Sequence, residues 1–268
     1  IWRCPERLNQ DAIAFFASYS GSTEDTVAAL RFAKSRGART VAIVNKADSV
    51  MGREADEVIP FNSTALYILP LAASYLFSLE VARLKGKSVD DTIQGIDTLP
   101  QVLGRLYREE EARAKELALQ YKDERLFYVL ASGPLYGLGY KFGLTVFMEN
   151  MRVHGSFIET SEFRHGPAEM LDRERPAMVF LVGTDSSRSM SERVVEIARE
   201  AGARMIVYDY ADYARYGVSD PLLAPFVLMV PLQWFAVYSA LLRGITDLDE
   251  RVLMGHRKMG QGKEITWP

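Results

Sequence analysis

Cysteine is nearly absent: Cys4 is the only one in 268 residues. No internal disulfide can form, which fits a reducing, cytoplasmic setting. Histidine is scarce as well. His154, His165 and His256 are the full set, and with Cys4 they show no metal-ligand spacing. No metal and no cofactor is therefore expected, and acid/base work by side chains is favoured. Blocks of like charge are missing too. The net charge is −3, with charged residues at 25% and both signs interspersed, so there is no basic footprint for nucleic acid or an anionic membrane. The opening residues, with Arg3, Glu6 and Arg7, lack a secretory-signal pattern. Residues 221–242 lack charge altogether and approach the length of a membrane span. Pro221, Pro225, Pro231 and Gln233 interrupt them, and Pro231 should break or kink a continuous helix. The expectation there is an apolar strand or loop followed by a buried helix.

What is present is a repeat. Residues 12–17 are apolar, 18–23 form a polar loop, and Val27, Leu30 and Ala33 make a helical stripe ending at Gly37. A second apolar run, 40–44, completes a βαβ unit. The same order returns in residues 177–182, 183–189, a stripe of Val194, Ile197 and Ala198, and then 205–208. An offset of 165 residues places Gly37-Ala38-Arg39 on Gly202-Ala203-Arg204, Phe15 on Phe180 and Ala33 on Ala198 without a gap. Copy two is preceded by one more strand and glycine loop, 126–131 and Ser132-Gly133-Pro134, with a helix from about Leu138. Its counterpart would fall before residue 1, so the first βα unit of copy one is expected to be missing from the chain. Helices are expected over 65–85, despite Pro70, and over 99–121, where the charges of REEEARAK at 108–115 suggest a solvated face. The fold class is α/β, with parallel sheets flanked by helices in two domains, 1–95 and 96–268.

The loop Ser18-Tyr19-Ser20-Gly21-Ser22-Thr23 follows a strand and opens a helix. Helix N-termini carry unpaired N–H groups and the positive end of the dipole, and hydroxyls add donors. With no lysine in the loop, a sugar monophosphate held by neutral donors suits it better than a nucleotide. An alternative stands beside this: Ser20 or Ser22 caps the helix ahead of Glu24 and Asp25. Copy two reads Gly183-Thr184-Asp185-Ser186-Ser187-Arg188, with an acid in place of Ser20, which favours one phosphate site per chain.

Among the histidines, His165 stands out through its setting, Ser161-Glu162-Phe163-Arg164-His165-Gly166-Pro167. An imidazole exchanges its proton close to neutrality. Together, SYSGSTEDT at 18–26 and SEFRHGPAE at 161–169 resemble the phosphate loop and the second signature of the sugar isomerase (SIS) domain family. The resemblance covers nearly the whole chain. Within that family the stretches LFYVLASGPLYGLGYKFG, HGSFIETSEFRHGP and LLAPFVLMVPLQW are most similar to fructosamine-6-phosphate deglycases of the fructoselysine-6-phosphate type.

The resemblance implies two SIS domains, each an α-β-α sandwich, with Ser18, Tyr19, Ser20 and Thr23 on the substrate phosphate. It implies Glu149, sixteen residues before His165, as the base that moves a proton between C1 and C2, with His165 as acid/base partner. Ser132 and Glu162 are further substrate-binding candidates. Glu149, among Val146, Phe147, Met148 and Met151, is expected in a buried or cleft position. The family's habit of lending the histidine to a neighbouring site implies a homodimer or higher homo-oligomer. Phe142 and Thr145 stand where an amino-sugar synthase would carry a glutamate and a lysine, which argues against that reaction. The tail 260–268 departs from the deglycase ending. An aldose–ketose phosphosugar isomerase is the alternative reading. A non-catalytic sugar-phosphate-binding regulator is a third, disfavoured by the doubled architecture.

Overall fold

A computed structural model describes residues 6–248, 250, 252 and 253; Cys4, His256 and the tail 260–268 lie outside the described residues. The chain divides after Val89 into two units, the second being Asp90–Glu250. In the first unit β1 (Ile13–Ser18), α1 (Glu24–Ser35), β2 (Arg39–Val44), α2 (Val50–Glu54), β3 (Glu57–Pro60) and α3 (Ile68–Leu84) follow one another. The strands form a parallel sheet in the order β1-β2-β3. β2 is buried from Thr40 onward, as a β-branched run in a parallel sheet should be. Pro70 falls in the first turn of α3, where a missing N–H removes no helical bond.

The second unit starts with α4 (Asp90–Glu109) and α5 (Glu111–Gln120). A boundary at 95/96 would fall inside α4. The single helix expected over 99–121 is instead two, divided at Glu110. The charged run around it suggested a solvated face, yet Glu110 is buried, with Arg113 and Arg215 nitrogens 3.5 and 3.6 Å from its carboxylate. Then come β4 (Leu126–Ala131), α6 (Tyr136–Tyr140), a π-helical stretch Lys141–Val146 and α7 (Phe147–Glu149). β5 (His154–Glu159), α8 (Met170–Arg173), β6 (Ala177–Val182), α9 (Arg188–Glu200), β7 (Met205–Asp209) and α10 (Ala224–Leu242) complete it. All four strands are parallel, in the order β5-β4-β6-β7.

Side chains alternate across β4. Phe127 meets Phe147 and Phe235 on one face, with ring centroids 5.3 and 6.0 Å away. Leu130 points to the other face, into a cluster with Phe163, Phe180, Val194 and Ala198. The chargeless stretch Pro221–Leu242 is long and apolar enough to cross a membrane, but most of it is buried in this core against α4 and α5. Pro231 does not break α10, one of the two outcomes expected from the sequence: the helix runs through it from Ala224 to Leu242.

The 165-residue offset recurs in the helix ends. Gly37 and Gly202 both have positive φ, +86° and +73°. In each copy the next residue's N–H reaches back five residues, Ala38 to the Ala33 carbonyl and Ala203 to that of Ala198. These are paired Schellman closures at matched positions.

The helical segment 136–149 lies close on β5. A Cβ on Gly155 would come within 2.1 Å of the Gly143 carbonyl oxygen, so backbone touches backbone there. Gly155→Ala should therefore lower stability by about 1–3 kcal/mol in urea unfolding. Gly104→Ala in α4, whose new methyl would meet only an Arg108 nitrogen at 4.0 Å, should leave stability unchanged or raise it by about 0.5–1 kcal/mol.

Candidate functional site

The loop after β1 is built as a ring of donors. Thr23 is the N-cap of α1 in extended backbone, yet its side chain makes no bond to the helix. Its hydroxyl lies 2.9 Å from that of Ser18, which also accepts the Gly21 N–H at 3.1 Å. Ser20 Oγ accepts from Ser22 N at 3.2 Å. Neither Ser20 nor Ser22 caps the helix, so the capping alternative is not what the backbone adopts. Gly21, at φ +61°, packs so tightly that a Cβ would overlap Ser49. Tyr19, Ser20, Ser22 and Thr23 remain exposed at the helix N-terminus. Asn45 and Lys46, at the end of β2, join this edge: Asn45 N donates to the Tyr19 carbonyl, and Lys46 reaches Asn62 at 3.4 Å. The sequence reading passed over Lys46 because it lies a full helix and strand beyond the loop.

The counterpart turn in the second unit keeps the geometry and changes the charge. Asp185 Oδ1 accepts Ser187 N at 2.9 Å, the same two-residue turn that Ser20 makes. Its carboxylate sits against Gly133 and Gly183, whose added Cβ atoms would lie 2.5 and 2.4 Å from its oxygens. Arg188, at the position of Thr23, is bound to Asp209 at 2.8 Å. A phosphate would be repelled by that carboxylate.

Ser132, Glu162 and His165 belong to the carboxyl-end edge of the second sheet. Ser132 is buried, and its hydroxyl donates to Glu159, the last residue of β5. Glu159 also accepts the N–H of Ser161 at 2.9 Å and the Ser161 hydroxyl. It thereby caps the 3₁₀ turn Thr160–Arg164, which Phe163 anchors in the core and which delivers an exposed His165. The His165 N–H bonds the Glu162 carbonyl at 2.9 Å, and Arg164 Nε donates to His165 Nε2 at 3.1 Å. Glu162 itself is exposed. Sequence reasoning missed Glu159; the only signal was an acid two residues before a serine at the end of an apolar run.

Glu149 is elsewhere. It ends α7, and Val153 N donates to the Phe147 carbonyl at 3.1 Å as the chain turns back into β5. Glu149 thus adjoins the start of β5, while His165 follows its end. Six strand residues at roughly 3.3 Å each lie between. The fold does not bring Glu149 and His165 together within this unit. Of the buried or cleft position expected for Glu149, burial does not hold: Val146 and Phe147 take the inward face of the turn, leaving Met148 and Glu149 exposed.

Burial pushes the Glu159 carboxyl upward in pKa, but the hydroxyls of Ser132 and Ser161 and the N–H groups of Ser161 and Glu162 outweigh it, and the net shift is downward. A depressed carboxylate stabilises the fold above its unfolded pKa, and that contribution disappears as pH falls through the folded value. Glu159→Gln should accordingly lower urea stability near neutrality, with the gap from wild type narrowing as pH falls below the ordinary glutamate range.

Residues 6–84 match the SIS domain family. The chain is 33% identical to fructoselysine 6-phosphate deglycase of Escherichia coli strain K12 over 253 residues, covering 94% of this chain and 73% of that protein. It is 30% identical to fructosamine deglycase FrlB of Bacillus subtilis strain 168 over 248 residues, 88% of this chain and 74% of the relative. A crystal structure of a proposed phosphosugar isomerase from Bacillus subtilis superposes with a TM-score of 0.83 at 28% identity, covering 95% of this chain and 79% of that one. Kinship of this extent, joined to the cradle after β1 and the turn that presents His165, makes the chain a member of the SIS domain family.

Proposed function

We propose that this chain is a deglycase that converts a 6-phosphorylated Amadori compound, of the fructoselysine 6-phosphate type, to glucose 6-phosphate and a free amino acid. The observation that carries the reading is its identity with named deglycases along 94% of its length. Glu149 and the His165 run lie within that kinship. In this reading both units are SIS domains, and the matched Schellman closures support that. The cradle of Ser18, Tyr19, Ser20 and Thr23 holds the phosphate and so orients C1 and C2.

Glu149 removes a proton from C1 of the open-chain amino-ketose while O2 gains one, giving an enaminol. A proton then returns at C2, and the resulting C1 imine adds water and releases the amine. His165 serves as acid/base at O2 or C2. Because Glu149 and His165 sit at opposite ends of β5, the working pair is Glu149 of one chain and His165 of the partner subunit, in a cytoplasmic homodimer or larger homo-oligomer. Exposed Tyr136, Tyr140, Leu144 and Met148, spaced by four along the segment leading to Glu149, offer apolar surface of the kind a subunit contact covers.

Release of glucose 6-phosphate from a panel of phosphorylated Amadori compounds tests the reaction. Interconversion of a simple hexose phosphate with no such release would instead establish the isomerase alternative. Glu149→Gln and His165→Ala should each lower kcat by on the order of 10²–10⁴. Co-expressing the two inactive chains should restore about a quarter of wild-type activity, because half the dimers then hold one intact site of two; no recovery would place the pair within one chain. Ser20→Asp, which copies the second unit, should abolish phosphosugar binding in calorimetry.

A further inference from the structure

The opposite edge of the second sheet, where the chain enters β4 and β5, holds a cavity of about 480 Å³. Lys122, Arg125, Arg152 and Arg243 line it, together with Asp123 and Glu124. Glu124 is already bound to Arg204. Arg152 is in turn paired with Glu250 at 2.9 Å, so beyond these two ion pairs three cations, Lys122, Arg125 and Arg243, face one carboxylate, Asp123, in a chain whose net charge is negative.

Arg243 is the telling member. It is half-buried at the end of α10, and its guanidinium donates to the carbonyls of Ser239, Tyr121 and Glu124 at 2.9, 3.2 and 2.8 Å. Those partners are neutral, and among the described residues no carboxylate lies in ion-pair contact with it. Burial pulls its pKa below the ordinary value, against a weaker opposing pull from Asp123 and Glu124. A guanidinium taken partly out of water with only carbonyl partners is stabilised by any anion that enters beside it. Arg152 stands at the same cavity in left-handed backbone, φ +53°, an uncommon state for a non-glycine residue.

Position adds what charge alone does not give. Arg152 follows Glu149 by three residues, and Val153, in the cavity wall, is hydrogen-bonded to the carbonyl of Phe147, two residues before Glu149. The cavity and Glu149 therefore share one end of the sheet. In an Amadori compound the amine is attached to C1, the carbon Glu149 addresses, so whatever the amine carries extends outward from that point. The volume falls in the range of roughly 300–1,000 Å³ typical of small-ligand pockets and admits an amino-acid chain.

We propose that this cavity binds the carboxylate of the substrate's amino-acid half, and so selects amino-acid adducts over adducts of simple amines. The proposal rests on the deglycase reading with Glu149 as base. Two 6-phosphorylated Amadori compounds, of lysine through its ε-nitrogen and of 1,5-diaminopentane, differ only by that carboxylate. Wild-type protein should show kcat/KM about tenfold higher for the lysine adduct, equivalent to about 1.4 kcal/mol. In an Arg125→Ala, Arg152→Ala double variant, both exposed positions, that preference should fall toward one. Equal wild-type turnover of the two adducts, or a preference untouched by the double variant, overturns the proposal. If neither adduct releases glucose 6-phosphate, the deglycase reading fails on its own account. Calorimetry with free lysine then decides the cavity: saturable binding lost in the double variant upholds a carboxylate site, and absence of heat overturns it.

Discussion

The parallel pairing of β4 with β5 on one side and β6 on the other organises the chemistry of the second unit. It aligns the ends of three strands, so Ser132, Glu159 and the Asp185 turn emerge at one edge. The same alignment sends the residues that precede β4 and β5 to the other edge, where Lys122, Arg125 and Arg152 converge. A rigid strand therefore does two things at once. It clamps the His165 turn through Glu159, and it keeps Glu149 away from that turn. Hydrogen bonds along β5 fix this separation more firmly than any side-chain contact could, since a strand cannot shorten without losing its ladder.

The two units handle one supersecondary plan with different electrostatics. Helix closures at Gly37 and Gly202 agree down to the reaching N–H groups, because each needs a residue free to take positive φ and a backbone carbonyl in the last helical turn to receive the bond. The loops that follow β1 and β6 also share a turn, made by Ser20 in one and Asp185 in the other. Exchanging a hydroxyl for a carboxylate leaves the backbone alone and reverses the sign of what the turn attracts. Shape was kept where it closes the helix, and chemistry changed where it faces outward.

Local regularity made much of this legible in the sequence. The apolar runs at 126–131 and 177–182 became strands with those bounds, since buried parallel strands need continuous apolar residues. The glycines that end α1 and α9 announced their own φ. What escaped notice lacked a periodic signature. The π-helical stretch Lys141–Val146 depends on how Gly143 meets β5, not on any spacing within the segment. Glu110 looked like part of a solvated charge run, and only the distant Arg215 shows that it points inward. Of the candidate site, the hydroxyl loop and His165 were visible as motifs. Glu159 and the cationic cavity were not, because their partners come from residues that are neighbours only after the sheet has formed.

The carboxylate of Asp185 has a thermodynamic corollary. Its turn carries a carboxylate of its own, covalently attached and present at every ligand concentration, so the turn has no place for an anion from solution. The turn at Ser20 has hydroxyls and a helix N-terminus but no such fixed charge. Any anion that seats there binds the folded state alone and raises its stability with the logarithm of ligand concentration. The two turns would then differ in what they answer to: an anion seated at the Ser20 turn adds to its stability, while the Asp185 turn has no such gain to make.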